Sequence, residues 1–146
     1  MPRRHQTTIQ IATRDVAFIE RRGGRSHRGG GEFSRSAVFH RLVNMLDMLL
    51  DHADPLRNRR IAPAQHELVT RHLSEPWAMT AFEIEHLESY LARNSGFAAA
   101  ARAAGIDPAE LLATLAGLNF YEKMALVDQA CQAQSPAAAA AVPEEP

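Results

Sequence analysis

The sequence predicts a mostly helical protein with one short β-strand, organised as an N-terminal dimerisation unit of one strand and two helices joined to a separate helical module. Three observations carry that prediction. From residue 34 onward, apolar residues recur at three- and four-residue steps, the period of helices that bury one face. Residues 7–11, Thr7-Thr8-Ile9-Gln10-Ile11, alternate instead, which is the period of a half-buried strand. The charges also separate along the chain. Residues 1–60 hold twelve arginines against six acids, a net +6, and the remainder holds three arginines and one lysine against eleven acids, a net −7, although the whole sums to −1. Such asymmetry implies one part that faces a polyanion and another that faces something else.

Composition bounds the architecture. A chain of 146 residues forms one ordinary domain, or a small dimeric unit plus an appended module. A hydrophobic content of 46% supplies a real core, and an aromatic content of 6% with abundant alanine makes it a helical core of small side chains. The single cysteine, Cys131, excludes an internal disulfide framework and fits a reducing compartment, where a buried or idle thiol is expected. No stretch approaches the roughly 20 consecutive apolar residues of a membrane span. Met1-Pro2-Arg3-Arg4 has no apolar region behind it to make a signal peptide. The expectation is a cytoplasmic protein with no membrane partner.

Taken in order, residues 1–6 form a basic arm. In the strand, Ile9 and Ile11 share one face and Thr8 and Gln10 the other. Thr13 caps a short helix through Asp15, Val16, Phe18 and Ile19, which Gly23 and Gly24 end. Residues 23–31 contain five glycines with Arg25, His27 and Arg28, a composition too entropic for anything but a loop. Together Arg14, Arg21, Arg22, Arg25 and Arg28 fall within fifteen residues, where no helical stripe needs them. From Ser34 a long helix carries Val38, Leu42, Met45, Leu46, Leu49 and Leu50 as its apolar stripe and stops before Asp54-Pro55. The predicted domains are residues 1–54, a basic linker at 55–63 with Arg57, Arg59 and Arg60, an acidic helical module at 64–132, and a disordered alanine-proline tail at 133–146. Within the module the expected helices are 65–73, 76–93, 97–104 and 108–132, the last bent at Gly117-Leu118-Asn119.

Chemistry-bearing patterns are sparse. His66-Glu67 followed by His72 lacks the i, i+4 spacing that puts two imidazoles on one helical face, and no cysteine pair supports a metal. His40 and His52 lie beside the apolar stripe of their helix. Glu83, Glu85 and Glu88 read as a solvated face with no nucleophile turn around them. The glycine-rich stretch lacks the Lys-Ser/Thr of a nucleotide-phosphate cradle. The sequence therefore predicts no catalytic residues, no metal and no cofactor, and a protein that is not an enzyme.

Residues 7–54 resemble the ribbon-helix-helix family of repressors and antitoxins, in which one strand from each subunit pairs into a ribbon that enters the DNA major groove. The resemblance places Thr8 and Gln10 at the base-reading positions and Ser34-Arg35-Ser36 at the phosphate-holding start of the second helix. It adds Arg3, Arg4, Arg25 and Arg28 as phosphate contacts, and Ile9, Ile11, Val38, Leu42, Met45, Leu46 and Leu49 as the dimer core. A second stretch, from Phe97 through Gly105-Ile106-Asp107-Pro108 to Leu111, resembles the helix-turn-helix of bacterial regulators, with Ala101, Gly105, Ile106, Leu111 and Leu115 at packing positions. Its would-be recognition helix offers Ala109, Glu110, Leu112, Ala113 and Thr114 and no basic side chain, so packing without DNA contact is expected there. The resemblances imply a sequence-specific, repressor-like regulator acting on double-stranded DNA as a homodimer or higher oligomer, with a protein partner for residues 64–132. The alternatives are an antitoxin with toxin-binding C-terminal helices, or a helical interaction adaptor with a basic N-terminal segment.

Overall fold

The computed structural model describes residues 13–21 and 35–135, and every regular element among them is helical. The chain divides into two compact units, residues 1–47 and 48–146. In the first, α1 (Thr13–Arg21) carries Asp15 in its opening turn and Arg21 in its last, charges that complement the helix dipole. The second helix, α2 (Arg35–His52), runs on past the end of that unit and closes with His52 in its last turn.

In the second unit, α3 (Pro63–His72), a 3-10 turn (Pro76–Ala78), α4 (Ala81–Glu85), α5 (Leu87–Ala92), α6 (Phe97–Ala103), α7 (Pro108–Ala116) and α8 (Phe120–Gln134) follow one another with short connections. Helix α8 is the central strut, against which α3, α4 and the 3-10 turn pack; α5 lies on α7, and α6 bridges α3 and α7. The core is aliphatic. Val69 and Leu73, Leu87 and Leu91, Leu111 and Leu115, and Leu126 are fully buried, with Phe97 as the aromatic among them. The Phe97 ring meets His72 edge-on, centroids 5.9 Å apart.

Two continuous helices of the sequence reading are interrupted in the structure, and local hydrogen bonding explains both. The 76–93 stretch is a 3-10 turn and two short helices. Thr80 Oγ1 accepts the Glu83 N–H at 3.2 Å while the Glu83 carboxylate accepts from the Thr80 N–H and hydroxyl, which starts a new helix at Ala81. His86, at φ −108° and ψ 43°, then breaks that helix from the next. In the 108–132 stretch, Asn119 and Glu122 form the same reciprocal cap, and the predicted bend is a full stop. The stretch read as a linker belongs to the second unit: Pro55 and Ile61 are buried and Leu56 packs against the core.

The expected fold class needs correction. Helices alone make up the regular structure of the described residues, which are mostly α and hold no strand of the kind a ribbon-helix-helix unit requires. The Thr7–Ile11 alternation that suggested it lies outside the described residues. Two isoleucines two apart are a weak strand signal, because a strand exists only where a neighbour completes its hydrogen bonds, and the described residues offer none.

Two turns share one backbone device. At the end of α6, the Gly105 N–H donates to Arg102 O (3.0 Å) and the Ile106 N–H to Ala101 O (2.8 Å), with Gly105 at φ 75°. At the turn beginning at Pro55, the Arg59 N–H donates to Leu56 O (3.2 Å) and the Arg60 N–H to Pro55 O (2.8 Å), with Arg59 at φ 58°. Both are the paired 6→1 and 5→2 bonds of a Schellman motif, whose left-handed position favours glycine. A side chain there costs roughly 1–2 kcal/mol.

Because α5 and α7 meet through fully buried leucines, Leu111→Ala should cost about 2–5 kcal/mol. The loss is read as a lower urea midpoint at unchanged slope. A loss below about 1 kcal/mol would show that this contact is not closed in solution.

Candidate functional site

Helix α2 carries more exposed large apolar side chains than any other element among the described residues. Phe39, Leu42, Val43, Leu46, Leu49 and Leu50 recur at three- and four-residue steps, so they share one broad face. Val38 is buried, at 4% exposure, and Leu42 and Leu50 are half-buried. By contrast Phe39 is 40% exposed, Val43 48%, Met45 57%, Leu46 46% and Leu49 38%. Met48, at 62%, stands off this face. Contiguous exposed apolar surface is uncommon on monomeric proteins, which makes this stripe a candidate interaction surface. The other side of the helix carries His40, Asn44, Asp47 and Asp51, with the His40 Nε2 and Asn44 Nδ2 atoms 3.2 Å apart.

Of the residues assigned to nucleic acid, Thr8, Gln10, Arg3, Arg4, Arg25, Arg28 and Ser34 lie outside the described residues, as do Ile9 and Ile11 of the dimer core. Arg35 is the first residue of α2, and Ser36 beside it is exposed. Val38, Leu42, Met45, Leu46 and Leu49 are all on α2, with Val38 alone buried. Phe39 and Val43 extend the same face and were missed. Their signal was available in the i, i+4 spacing Phe39-Val43 and Phe39-Leu46 at i, i+7.

The second unit carries its polar groups in three clusters. Arg60 Nε donates to Glu122 Oε2 (3.1 Å) and its Nη2 to Gly117 O (3.2 Å), which ties the first loop of the second unit, between α2 and α3, to the end of α7 and the start of α8. Lys123, buried, donates from Nζ to Glu85 O (2.6 Å) and to Glu88 Oε2 (3.1 Å). His66 Nε2–H donates to Gln129 Oε1 (2.6 Å), and the Gln129 amide bonds the Asp54 carboxylate. Burial works against the charged form of Asp54. Hydrogen bonds from Gln129 and from the Leu56 and Arg57 N–H groups, with His66 nearby, outweigh it and hold the carboxyl below its ordinary range. Burial likewise opposes Glu88, and its own backbone N–H together with Lys123 overcomes it and lowers its pKa. Cys131 is pushed up by burial and by the neighbouring Asp128 carboxylate, which makes its thiol a poor nucleophile.

An open groove of about 640 Å³ is lined by Phe82, Glu83, Tyr90, Arg93, Asn94 and Ser74. Its polar groups serve the fold: Tyr90 Oη and Ser74 Oγ are 3.2 Å apart, Asn94 Nδ2 donates to His72 O, and Glu83 caps α4. That leaves no nucleophile with an adjacent base in it. Among the described residues no group of three His, Cys, Asp or Glu side chains is placed to hold a metal ion, and no helix is long and apolar enough to cross a membrane. The α6–α7 pair turns at Gly105 with Ala101, Leu111 and Leu115 fully buried. The outward residues of α7, Ala109, Glu110 and Ala113, include no base.

Comparison of the chain with protein families, with curated proteins and with solved structures finds no match.

The Asp54 carboxyl has a lower pKa folded than unfolded, so it adds stability above its ordinary value of 3.8 and loses it as pH falls through the lowered folded value. The difference in melting temperature between the wild type and Asp54→Asn should therefore be largest near neutrality and shrink from about pH 5 to about pH 3. A difference that stays constant over that range shows that the carboxylate is not held by these bonds.

Proposed function

We propose that the chain is a DNA-binding regulator that acts as a homodimer. The observation that carries the reading is the exposed apolar face of α2, which follows directly on an arginine-rich segment. In proteins most of a helix's stability comes from packing its apolar face. A second copy of α2 supplies a surface of the same chemistry, related by a two-fold axis. Doubling the chain also doubles the +6 charge of the first 60 residues, which suits it to the regularly spaced phosphates of a duplex. The second unit, acidic overall, is the part suited to a protein partner.

Two measurements test the reading. In sedimentation at low micromolar concentration the full chain should be a dimer, and Leu46→Asp, at an exposed position, should weaken self-association at least about tenfold without lowering the helical content of the second unit. In anisotropy titrations with duplex DNA from upstream of its own gene, binding should weaken steeply with salt. Replacing Arg25 and Arg28 together by alanine should flatten the dependence of log affinity on log salt by roughly 0.9 for each phosphate that the variant no longer neutralises. A monomer that ignores DNA overturns the proposal and favours the interaction adaptor.

A further inference from the structure

We propose that Arg59 is a phosphate contact, by which the first loop of the second unit grips the backbone of duplex DNA; the inference rests on the DNA-binding reading above. The turns at Arg59 and at Gly105 are made by the same pair of backbone hydrogen bonds, and both place their fifth residue in the left-handed region, at φ 58° and φ 75°. At Gly105 a Cβ would meet nothing within 4 Å, so glycine stands there for its backbone freedom alone. At position 59 the chain carries arginine in the conformation that glycine adopts most readily. A long side chain kept at a conformational cost is kept for what the side chain does.

Nothing in the described fold uses it. Of the three arginines in this loop, Arg57 pairs with Asp51 at 2.8 Å and Arg60 with Glu122 at 3.1 Å. Arg59 is exposed and its guanidinium has no hydrogen-bond or ion-pair partner among the described residues. The loop beneath it is firmly made. Asp54 Oδ1 accepts the Leu56 N–H at 2.9 Å, Asn58 Nδ2 donates to His52 O at 2.8 Å, and the buried Ile61 donates its N–H to Pro55 O. The backbone therefore holds the base of Arg59 in place, while its charge stays available. An uncompensated guanidinium on a fixed backbone matches a phosphate diester, whose oxygens accept its paired N–H donors. An acidic protein surface is the other anion it could meet, and the test separates the two.

The experiment uses the full chain, a fluorescein-labelled duplex and a series of KCl concentrations, with Arg59→Gly, Arg59→Lys and the wild type compared alongside their thermal melts. Arg59→Gly should melt at the wild-type temperature or a few degrees above it, since glycine relieves the left-handed strain, yet flatten the salt dependence by roughly 0.9 for each contacting protomer. Arg59→Lys should restore the wild-type slope. Wild-type slope and affinity in Arg59→Gly overturn the proposal and leave the acidic protein surface as the reading. A melt of Arg59→Gly well below the wild type overturns it too, by showing that the side chain supports the fold. A flattened slope in Arg59→Lys shows that charge is not what the position supplies, and also overturns it. If the wild type shows no salt-dependent DNA binding, the parent reading fails, and this inference with it.

Discussion

Two consecutive residues of α8 carry charges that are buried and therefore need partners, and the second unit is arranged around satisfying them. Glu122 accepts from the Asn119 N–H through Oε1 and from Arg60 through Oε2. Lys123 donates to the Glu85 carbonyl and the Glu88 carboxylate. Removing a partner leaves a largely buried charge desolvated, a cost that the half-exposed Arg60 and the quarter-exposed Glu88 side chains moderate. A single turn of α8 thus fixes the first loop, the end of α7 and the junction of α4 and α5. The break at His86 belongs to this arrangement, since the carbonyl that Lys123 bonds is that of the residue just before it. No buried side-chain polar atom among the described residues is left without a partner.

Helix α2 poses the opposite problem. The buried charges of α8 are fully answered within one chain, whereas the apolar stripe of α2 is left open. Apolar burial is worth about 25 cal/mol per Å². A stripe from Phe39 to Leu49 that stays in water forgoes that gain at every turn of the helix. Its spacing has the seam of a two-helix contact, with Phe39, Leu42, Leu46 and Leu49 at alternating steps of three and four. Polar residues occupy the opposite face, where Asp51 meets Arg57. The helix therefore has one polar side and one apolar side that is largely exposed.

Much of the helical framework was legible in the sequence, because an aliphatic stripe at helical period has few other readings. The start of α3 near Gln65, the end of α5 near Asn94 and the whole of α6 follow from it. The stops at Thr80 and Asn119 were missed although their signature, a capping residue followed three positions later by glutamate, is written in Thr80-Glu83 and Asn119-Glu122. Apolar continuity across those points outweighed the caps in the reading. The stretch 55–63 looked like a basic linker because of its three arginines, and what ties it to the second unit is the burial of Pro55 and Ile61 together with a contact between Arg60 and Glu122, 62 positions apart, that no local pattern reveals. The left-handed φ of Arg59 was equally hidden, since the usual flag for that conformation is a glycine. On α2, the residues singled out from the sequence lie on the helix as read, and the full width of the face emerged only with Phe39 and Val43.

The α6–α7 pair shows why likeness of pattern and likeness of use part company. Its turn has the left-handed glycine, and Ala101, Leu111 and Leu115 are fully buried where a helix-turn-helix needs small and branched side chains to bring its two helices together. The start of α7 is occupied by acids: Asp107 Oδ1 accepts the Ala109 N–H at 3.0 Å, and Glu110 stands in the first turn. Those carboxylates already answer the positive end of the helix, so a phosphate brought there would meet negative charge in place of free N–H groups. The packing geometry is therefore separable from the electrostatics that would turn it toward DNA. In this chain the α6–α7 turn is packed on Ala101, Leu111 and Leu115, and the excess of cations lies elsewhere, in the first 60 residues.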